Sequence, residues 1–191
     1  MFESLGFPSA YRARVLEREP PGARPHYFTV ARMSTAYLQG LIVEVAPHDA
    51  EPWVGVFAGV NRRYPSGVYA SPMPDRVIVV CEGAGYLVPV HRPTAFESLA
   101  TLPVREVRRI SGAELLLLVG VQDLVAYGPD GLLWRVERLS REELTVESVD
   151  PAVVRGSATT NEGTAAFQVD ARTGAVTGGW REARTIRRPS R

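Results

Sequence analysis

The sequence predicts a mainly β chain, built from antiparallel hairpin repeats that form an open or two-layer β structure carrying two short helices. Three observations predict it. Runs rich in β-branched and aromatic residues recur between turn formers, the pattern of half-buried strands. Two longer runs, 77–90 and 115–128, align at an offset of 38 positions. Each opens on near-continuous apolar residues, breaks at a short polar or glycine-rich step and resumes apolar, as expected of a hairpin whose first strand is buried. Two turns are strongly marked, Gly128-Pro129-Asp130-Gly131 and Asp170-Ala171-Arg172-Thr173-Gly174. In the first, Pro presets a turn dihedral and Gly131 takes the left-handed position. In the second, Asp170 caps its own loop.

Taken in order, residues 1–25 form a distinct N-terminal segment. Pro20-Pro21-Gly22 and Pro25 break regular structure there. A single β-rich domain is expected over 26–180, and an Arg-rich flexible tail over 181–191. Strands are expected at Tyr27-Phe28-Thr29-Val30, at 41–45, at 53–57 and at 67–70. Gly55 marks a bulge or a close backbone approach. A third hairpin of the repeat begins near Val153-Val154 and returns through Ala166-Phe167-Gln168-Val169. Thr94-Ala95-Phe96-Glu97 and Ser140-Arg141-Glu142-Glu143 have the form of a capping box, in which a hydroxyl caps the third helical amide and a Glu reaches back. Short helices are therefore expected around 95–101 and 141–145.

The stretch from Leu124 to Trp134, with its Tyr127-Gly128-Pro129-Asp130-Gly131 turn, resembles one strand-turn-strand of a quinoprotein-type β-propeller blade. Phe167 to Gly174 resembles the matching strand and turn of another. With Gly83-Ala84-Gly85-Tyr86, these segments are similar to an uncharacterised family of bacterial β-rich proteins. The resemblance spans about residues 53–179 and implies fold texture, with a small β-propeller-like closure as the alternative architecture. It implies no chemistry, because blade motifs serve many unrelated functions. Four blades of about 40 residues would also need nearly the whole chain.

Composition narrows the function. The formal charge is +1, without the basic excess of a dedicated nucleic-acid binder. All 22 basic residues are Arg, the bias of a GC-rich coding sequence. The absence of Lys excludes lysine Schiff bases, lysine nucleophiles and P-loop lysines. The single cysteine, Cys81, lies in an apolar run and reads as a buried structural thiol. A disulfide framework is excluded, which fits a reducing compartment. The N-terminus lacks the features of a signal peptide, and no apolar run approaches the ~20 residues of a membrane helix. A cytoplasmic location without membrane contact follows as the expectation. The tail carries five Arg and reads as a solvated end.

No nucleophile elbow, zincin, Walker, Cys-x-x-Cys or dinucleotide motif occurs. Gly83-Ala84-Gly85 has two of the dinucleotide-loop glycines and reads as a β-turn. No catalytic residue, metal ligand set or cofactor is assigned. Three positions form the alternative, an enzyme or small-ligand site assembled from distant residues: His48, beside Asp49 in a loop; His91, after a strand; and Asp123, in an apolar setting between two strands. Asp123 also reads as a turn carboxylate capping amides. Glu142 and Glu143 read as acids at the positive end of a helix dipole. Trp134 alternates with Arg135, and Trp is the one expected to face the core. Arg62-Arg63-Tyr64, in a loop before Pro65-Ser66-Gly67, combines Arg with an aromatic residue, the pairing enriched at interface hot spots. The favoured reading is a non-catalytic module that binds another protein through surface loops, centred on Arg62, Arg63 and Tyr64. An immunity or antitoxin-like role falls inside that class.

Overall fold

A computed structural model describes residues 2–30 and 40–187. The chain forms two compact units, Met1–Val104 and Arg105–Arg191. Within the described residues the first contains β1 (Phe2–Glu3), β2 (Tyr11–Leu16), β3 (His26–Phe28), β4 (Leu41–Pro47), β5 (Trp53–Phe57), β6 (Gly67–Ala70), β7 (Arg76–Cys81), β8 (Ala84–Pro89) and β9 (Glu97–Ser98). The second contains β10 (Glu106–Ile110), β11 (Leu115–Val119), β12 (Leu124–Gly128), β13 (Gly131–Glu137), β14 (Leu144–Val149), β15 (Val153–Thr160), β16 (Gly163–Asp170), β17 (Val176–Gly178) and β18 (Arg184–Arg187).

The expected hairpins form within the sheets. β7–β8, β11–β12 and β15–β16 pair antiparallel, and each occupies the interior of its sheet. Sequence explains why. In β7 every residue after Arg76 is buried, and in β11 all are. Successive side chains point to opposite faces, so these strands are apolar on both sides and belong in the interior. β15 over Val153–Ala158 and β16 over Phe167–Asp170 instead alternate buried residues with half-buried or exposed ones, as strands with one wet face do.

In the first unit the sheet ordered β1-β6-β7-β8-β9 shares a core with the sheet ordered β2-β4-β5-β3. Phe28 and Phe57 stack at 4.2 Å, and Tyr86 meets both edge-on. The Tyr86 hydroxyl donates to the carbonyl of Ala58 at 2.6 Å, so the buried phenol is satisfied. A Cβ on Gly55 would lie 2.7 Å from both stacked rings; the glycine is the close approach that the sequence suggested. In the second unit the sheet ordered β10-β11-β12-β13-β18 shares its core with the sheet ordered β14-β15-β16-β17. Trp134 is fully buried there, as expected of its alternation with Arg135, and its indole N–H donates to the Ala171 carbonyl at 2.8 Å.

Several expectations are corrected. Neither short helix forms. Residues Pro93–Ala95 make one 3₁₀ turn, and the chain enters β9 at Glu97. Ser140 spends its hydroxyl on the Glu143 and Thr159 carbonyls and accepts from the Thr159 amide. It ties its loop to β15 and caps no helix, while Glu143 faces Arg105 at 3.7 Å. Among the described residues no sheet closes, and the propeller alternative gains no support. Two pairings are parallel, β1 with β6 and β3 with β5; in each, intervening strands supply the long connection such a pair needs. Strands form in both segments outside the expected 26–180 domain. β2 pairs with β4, and β18 pairs with β13, while residues 188–191 of the expected tail lie outside the described residues. Both marked turns form: Gly131 has φ 101°, and Asp170 Oδ1 accepts from the Arg172 and Thr173 amides.

β18 is fixed to β13 by charge. Arg184 donates to Glu137 through Nε and Nη2 at 3.0 and 2.7 Å, and Arg135 lies 3.1 Å from the other carboxylate oxygen. Arg184 above all, with Arg135 and Arg138, holds the Glu137 carboxyl below its ordinary value of 4.5. A depressed carboxyl contributes stability above its unfolded value and loses it as pH falls through the folded one. Glu137→Gln is therefore expected to unfold at lower urea than the native chain at neutral pH. The two midpoints should converge in acid well below pH 4.5, and a gap that persists there would exclude the ion pair as its cause.

Candidate functional site

The two-residue turn joining β7 to β8 is Glu82-Gly83, with φ of 46° and 84°. Positive φ at both central residues is the type I′ geometry whose twist matches a hairpin, normally supplied by Asn-Gly or Gly-Gly. Here a glutamate occupies the first position, where a side chain is disfavoured. The expected turn at Gly83 is thus present, while Ala84 and Gly85 already belong to β8.

The loop between β5 and β6 folds back onto this turn. The Glu82 carbonyl accepts the amides of Val60 and Asn61 at 3.2 and 3.0 Å, and the Gly83 amide donates to the Pro65 carbonyl at 3.1 Å. The Glu82 amide donates to Ser66 Oγ at 2.8 Å. Inside the loop, the Tyr64 amide donates to the Asn61 carbonyl and the Arg63 amide to Asn61 Oδ1, both at 3.0 Å. Tyr64 packs beside Gly83, so closely that a Cβ there would lie 2.9 Å from the Tyr64 Cβ.

Backbone bonds therefore hold Arg62, Arg63 and Tyr64 in place while the two guanidinium side chains project into solvent. Arg62 is 78% exposed and lies 3.6 Å from Glu82, longer than a hydrogen bond. An open cleft of about 490 Å³ runs beside the loop. Leu41, Ile42 and Val56 give it an apolar lining, and Glu19, Arg62 and Glu82 its charges. Ser66 and Cys81 also border it. Burial raises the Cys81 thiol above its ordinary value, more than hydrogen bonding to Leu41 and Ser66 lowers it. The thiol therefore stays protonated at neutral pH, as a structural cysteine does.

The residues of the alternative site fall otherwise. His48 follows β4 in an exposed turn, where its amide donates to the Ala10 carbonyl. His91 lies 3.6 Å from Asp49, both side chains well exposed. Asp123 belongs to the second unit, at the turn between β11 and β12. Its carboxylate accepts from Arg135 Nε and Nη2 at 3.1 and 2.7 Å. One partner of Asp123 is thus a guanidinium on β13, which the sequence reading did not name. Among the described residues no group of three or more His, Cys, Asp and Glu side chains is placed to hold a metal ion. No described helix is long and apolar enough to cross a membrane.

The sequence reading names Arg62, Arg63 and Tyr64 and assigns no site role to Glu82, Leu41, Ile42 or Val56. One signal was available: only Glu82-Gly83 separates the two apolar runs, and a two-residue hairpin turn requires left-handed backbone at Glu82. The sequence matches no protein-family model and no curated protein.

The geometry makes Glu82 a costly choice for its position. Asn tolerates left-handed backbone better, and the Arg62 contact is an exposed pair of the class worth ~0–1 kcal/mol. Glu82→Asn is expected to raise unfolding stability by about 0.5–1 kcal/mol, the scale of relieved backbone strain, read by urea denaturation. A loss of stability would mean that the Glu82 side chain supports the fold and is no cost to it.

Proposed function

We propose that this chain is a non-catalytic binding module that engages another protein through the loop carrying Arg62, Arg63 and Tyr64. One observation carries the reading: the loop backbone is clamped to a hairpin turn while Arg62 and Arg63 are exposed and Tyr64 is half-buried beside them. A surface ordered in advance loses little conformational freedom on association, which is where much of the cost of binding lies. Arg and Tyr are the residue types that dominate interface energetics. Arg offers a planar fork to carboxylates and carbonyls, and Tyr adds a rigid amphipathic ring. The histidines and Asp123 support a catalytic reading less well, since His91 faces Asp49 at the surface and Asp123 is committed to Arg135. The cytoplasm is the compartment we assign, on the lone protonated thiol and the absence of a disulfide framework.

The test is partner capture from a lysate of the source organism with the intact chain and with Arg62→Ala/Arg63→Ala/Tyr64→Ala. Capture by the native chain, weakened about 10-fold or more in the triple variant, is expected, since one hot-spot residue is worth ~2 kcal/mol. An Arg172→Ala control should capture normally. Equal capture by the loop variant and the native chain would sink the reading, provided circular dichroism shows both folded.

A further inference from the structure

Among the described residues each sheet ends on edge strands. The open side of such a strand is a row of unpaired N–H and C=O groups onto which another extended chain can build. Most of these edges are blunted. β1 and β9 have two residues, and β3 and β17 have three. β18 has four. β14 is broken by a register shift between Val146 and Ser148. β10 carries charge on both faces, Glu106 and Arg108 on one and Arg109 on the other. β2 differs. Its six residues pair with β4 in unbroken register from Tyr11 to Leu16, and among the described residues β4 is its one sheet neighbour.

The register fixes what β2 shows to the outside. The His48 amide donates to the Ala10 carbonyl at 3.0 Å, and Tyr11 stands opposite Pro47, which has no N–H. Hydrogen-bonded pairs alternate along an antiparallel ladder. Arg12, Arg14 and Leu16 therefore bond to β4, and the residues between them turn their N–H and C=O away from it. The Tyr11 carbonyl is taken by Ser9 Oγ at 3.1 Å. Ala13 and Val15 remain, each offering a donor and an acceptor. Their side chains pack on the core cluster that contains Tyr11, yet both residues are only half-buried. On the other face stand Arg12 and Arg14, both exposed. Arg14 donates to Glu44 through Nε and Nη2 at 2.8 and 3.0 Å. Arg12 has Ala46 opposite it on β4, so no cross-strand acid meets it there.

A second copy of the chain fits this edge badly. With Tyr11, Ala13 and Val15 of both copies on one apolar face, the antiparallel registers that use most of the strand set Arg12 opposite Arg14, or Arg14 opposite itself. Like charges directly opposite are destabilising, and opposite charges there are favourable. We propose that the open edge of β2 receives an extended segment of a partner protein as an added antiparallel strand, bonded to the backbone of Ala13 and Val15, with apolar residues continuing their face and an acidic residue opposite Arg12. Main-chain bonds supply affinity in this mode of recognition, and the alternate side chains supply specificity. The surface is separate from the loop of Arg62, and the inference does not rest on the reading of that loop.

The experiment titrates the intact, isotope-labelled chain with a capped pentapeptide alternating valine and glutamate, reading amide shifts and amide hydrogen exchange by NMR. The controls are the valine–lysine counterpart and the valine–glutamate peptide N-methylated on its valines. Saturable shifts at Ala13 and Val15, with slowed exchange of their amides, are expected from the valine–glutamate peptide alone. Arg12→Gln should weaken binding about 3-fold, the scale of one exposed ion pair. Ala13→Pro should abolish it. An edge strand tolerates proline where its N–H faces outward, and the added strand then loses a donor. If Ala13→Pro fails to fold, the N-methylated peptide on the native chain removes bonds of the same ladder and decides instead. The proposal is overturned if the Ala13 and Val15 amides stay unmoved up to the peptide's solubility limit, if either control moves them equally, or if folded Ala13→Pro binds like the native chain. Undiminished binding by Arg12→Gln would overturn the acidic assignment. The Arg62→Ala/Arg63→Ala/Tyr64→Ala variant should bind the peptide as the native chain does. A silent edge with loop-dependent capture would thus overturn this inference alone, and a responsive edge with capture retained by the loop variant would overturn the loop reading alone.

Discussion

Burial on both faces of the central hairpins is the constraint from which the rest follows. A strand such as β7, with five consecutive buried residues, has no side to turn to water. Its backbone groups must also be paired along both edges. It therefore takes the middle of a sheet, and its neighbour β8 follows through the shortest turn available. That turn lies at the end of the sheet, where ladder bonds stop and backbone amides and carbonyls would be left unpaired. The β5–β6 loop supplies the missing partners, and in doing so is itself fixed. The rigidity of residues 61–66 is thus a by-product of satisfying the end of a buried hairpin.

This origin explains the contrast between backbone and side chains at the site. Hydrogen bonds to Glu82 and Gly83 use only main-chain atoms and Ser66, which any sequence of suitable turn residues could provide. Nothing in that clamp calls for arginine at 62 or 63 or glutamate at 82. Where backbone geometry disfavours a residue and the fold gains little from its side chain, strain of this kind is associated with sites where a ligand contact compensates. The Glu82 carboxylate at the rim of a cleft with an apolar lining fits that pattern, and the cost is modest because only one residue is involved.

Much of the architecture was legible because it depends on local rules. Leu115–Val119 and Val77–Cys81 declare themselves as strands by unbroken apolar runs, and Gly128–Gly131 and Asp170–Gly174 by turn chemistry that tertiary context rarely overrides. The helices failed for a physical reason. A capping box needs free first-turn amides to cap, and at Ser140 the hydroxyl found a better set of partners across the sheet on Thr159. The parallel pairings and the two-unit division were illegible, because they depend on which distant strands meet, and no local pattern in Phe2–Glu3 specifies Val68. At the site, Arg62-Arg63-Tyr64 was visible as composition. The cleft residues come from five separate segments, which only the fold assembles.

The second unit holds the acid of its own central turn differently. Its central hairpin also ends in a turn bearing an acid, Asp123. There, however, Arg135 donates to the acid through two nitrogens and bridges on to Glu137, which Arg184 engages from β18. The Asp123 side chain is 12% exposed, and its charges serve to fasten an edge strand to its sheet. Breaking into such a network would cost the fold an ion pair and the ladder it secures. In the first unit the acid of the β7–β8 turn, Glu82, lies 3.6 Å from Arg62, whose side chain is 78% exposed. The same chemical pairing is thus short and shielded where it fastens an edge strand, and longer and more exposed beside the β7–β8 turn.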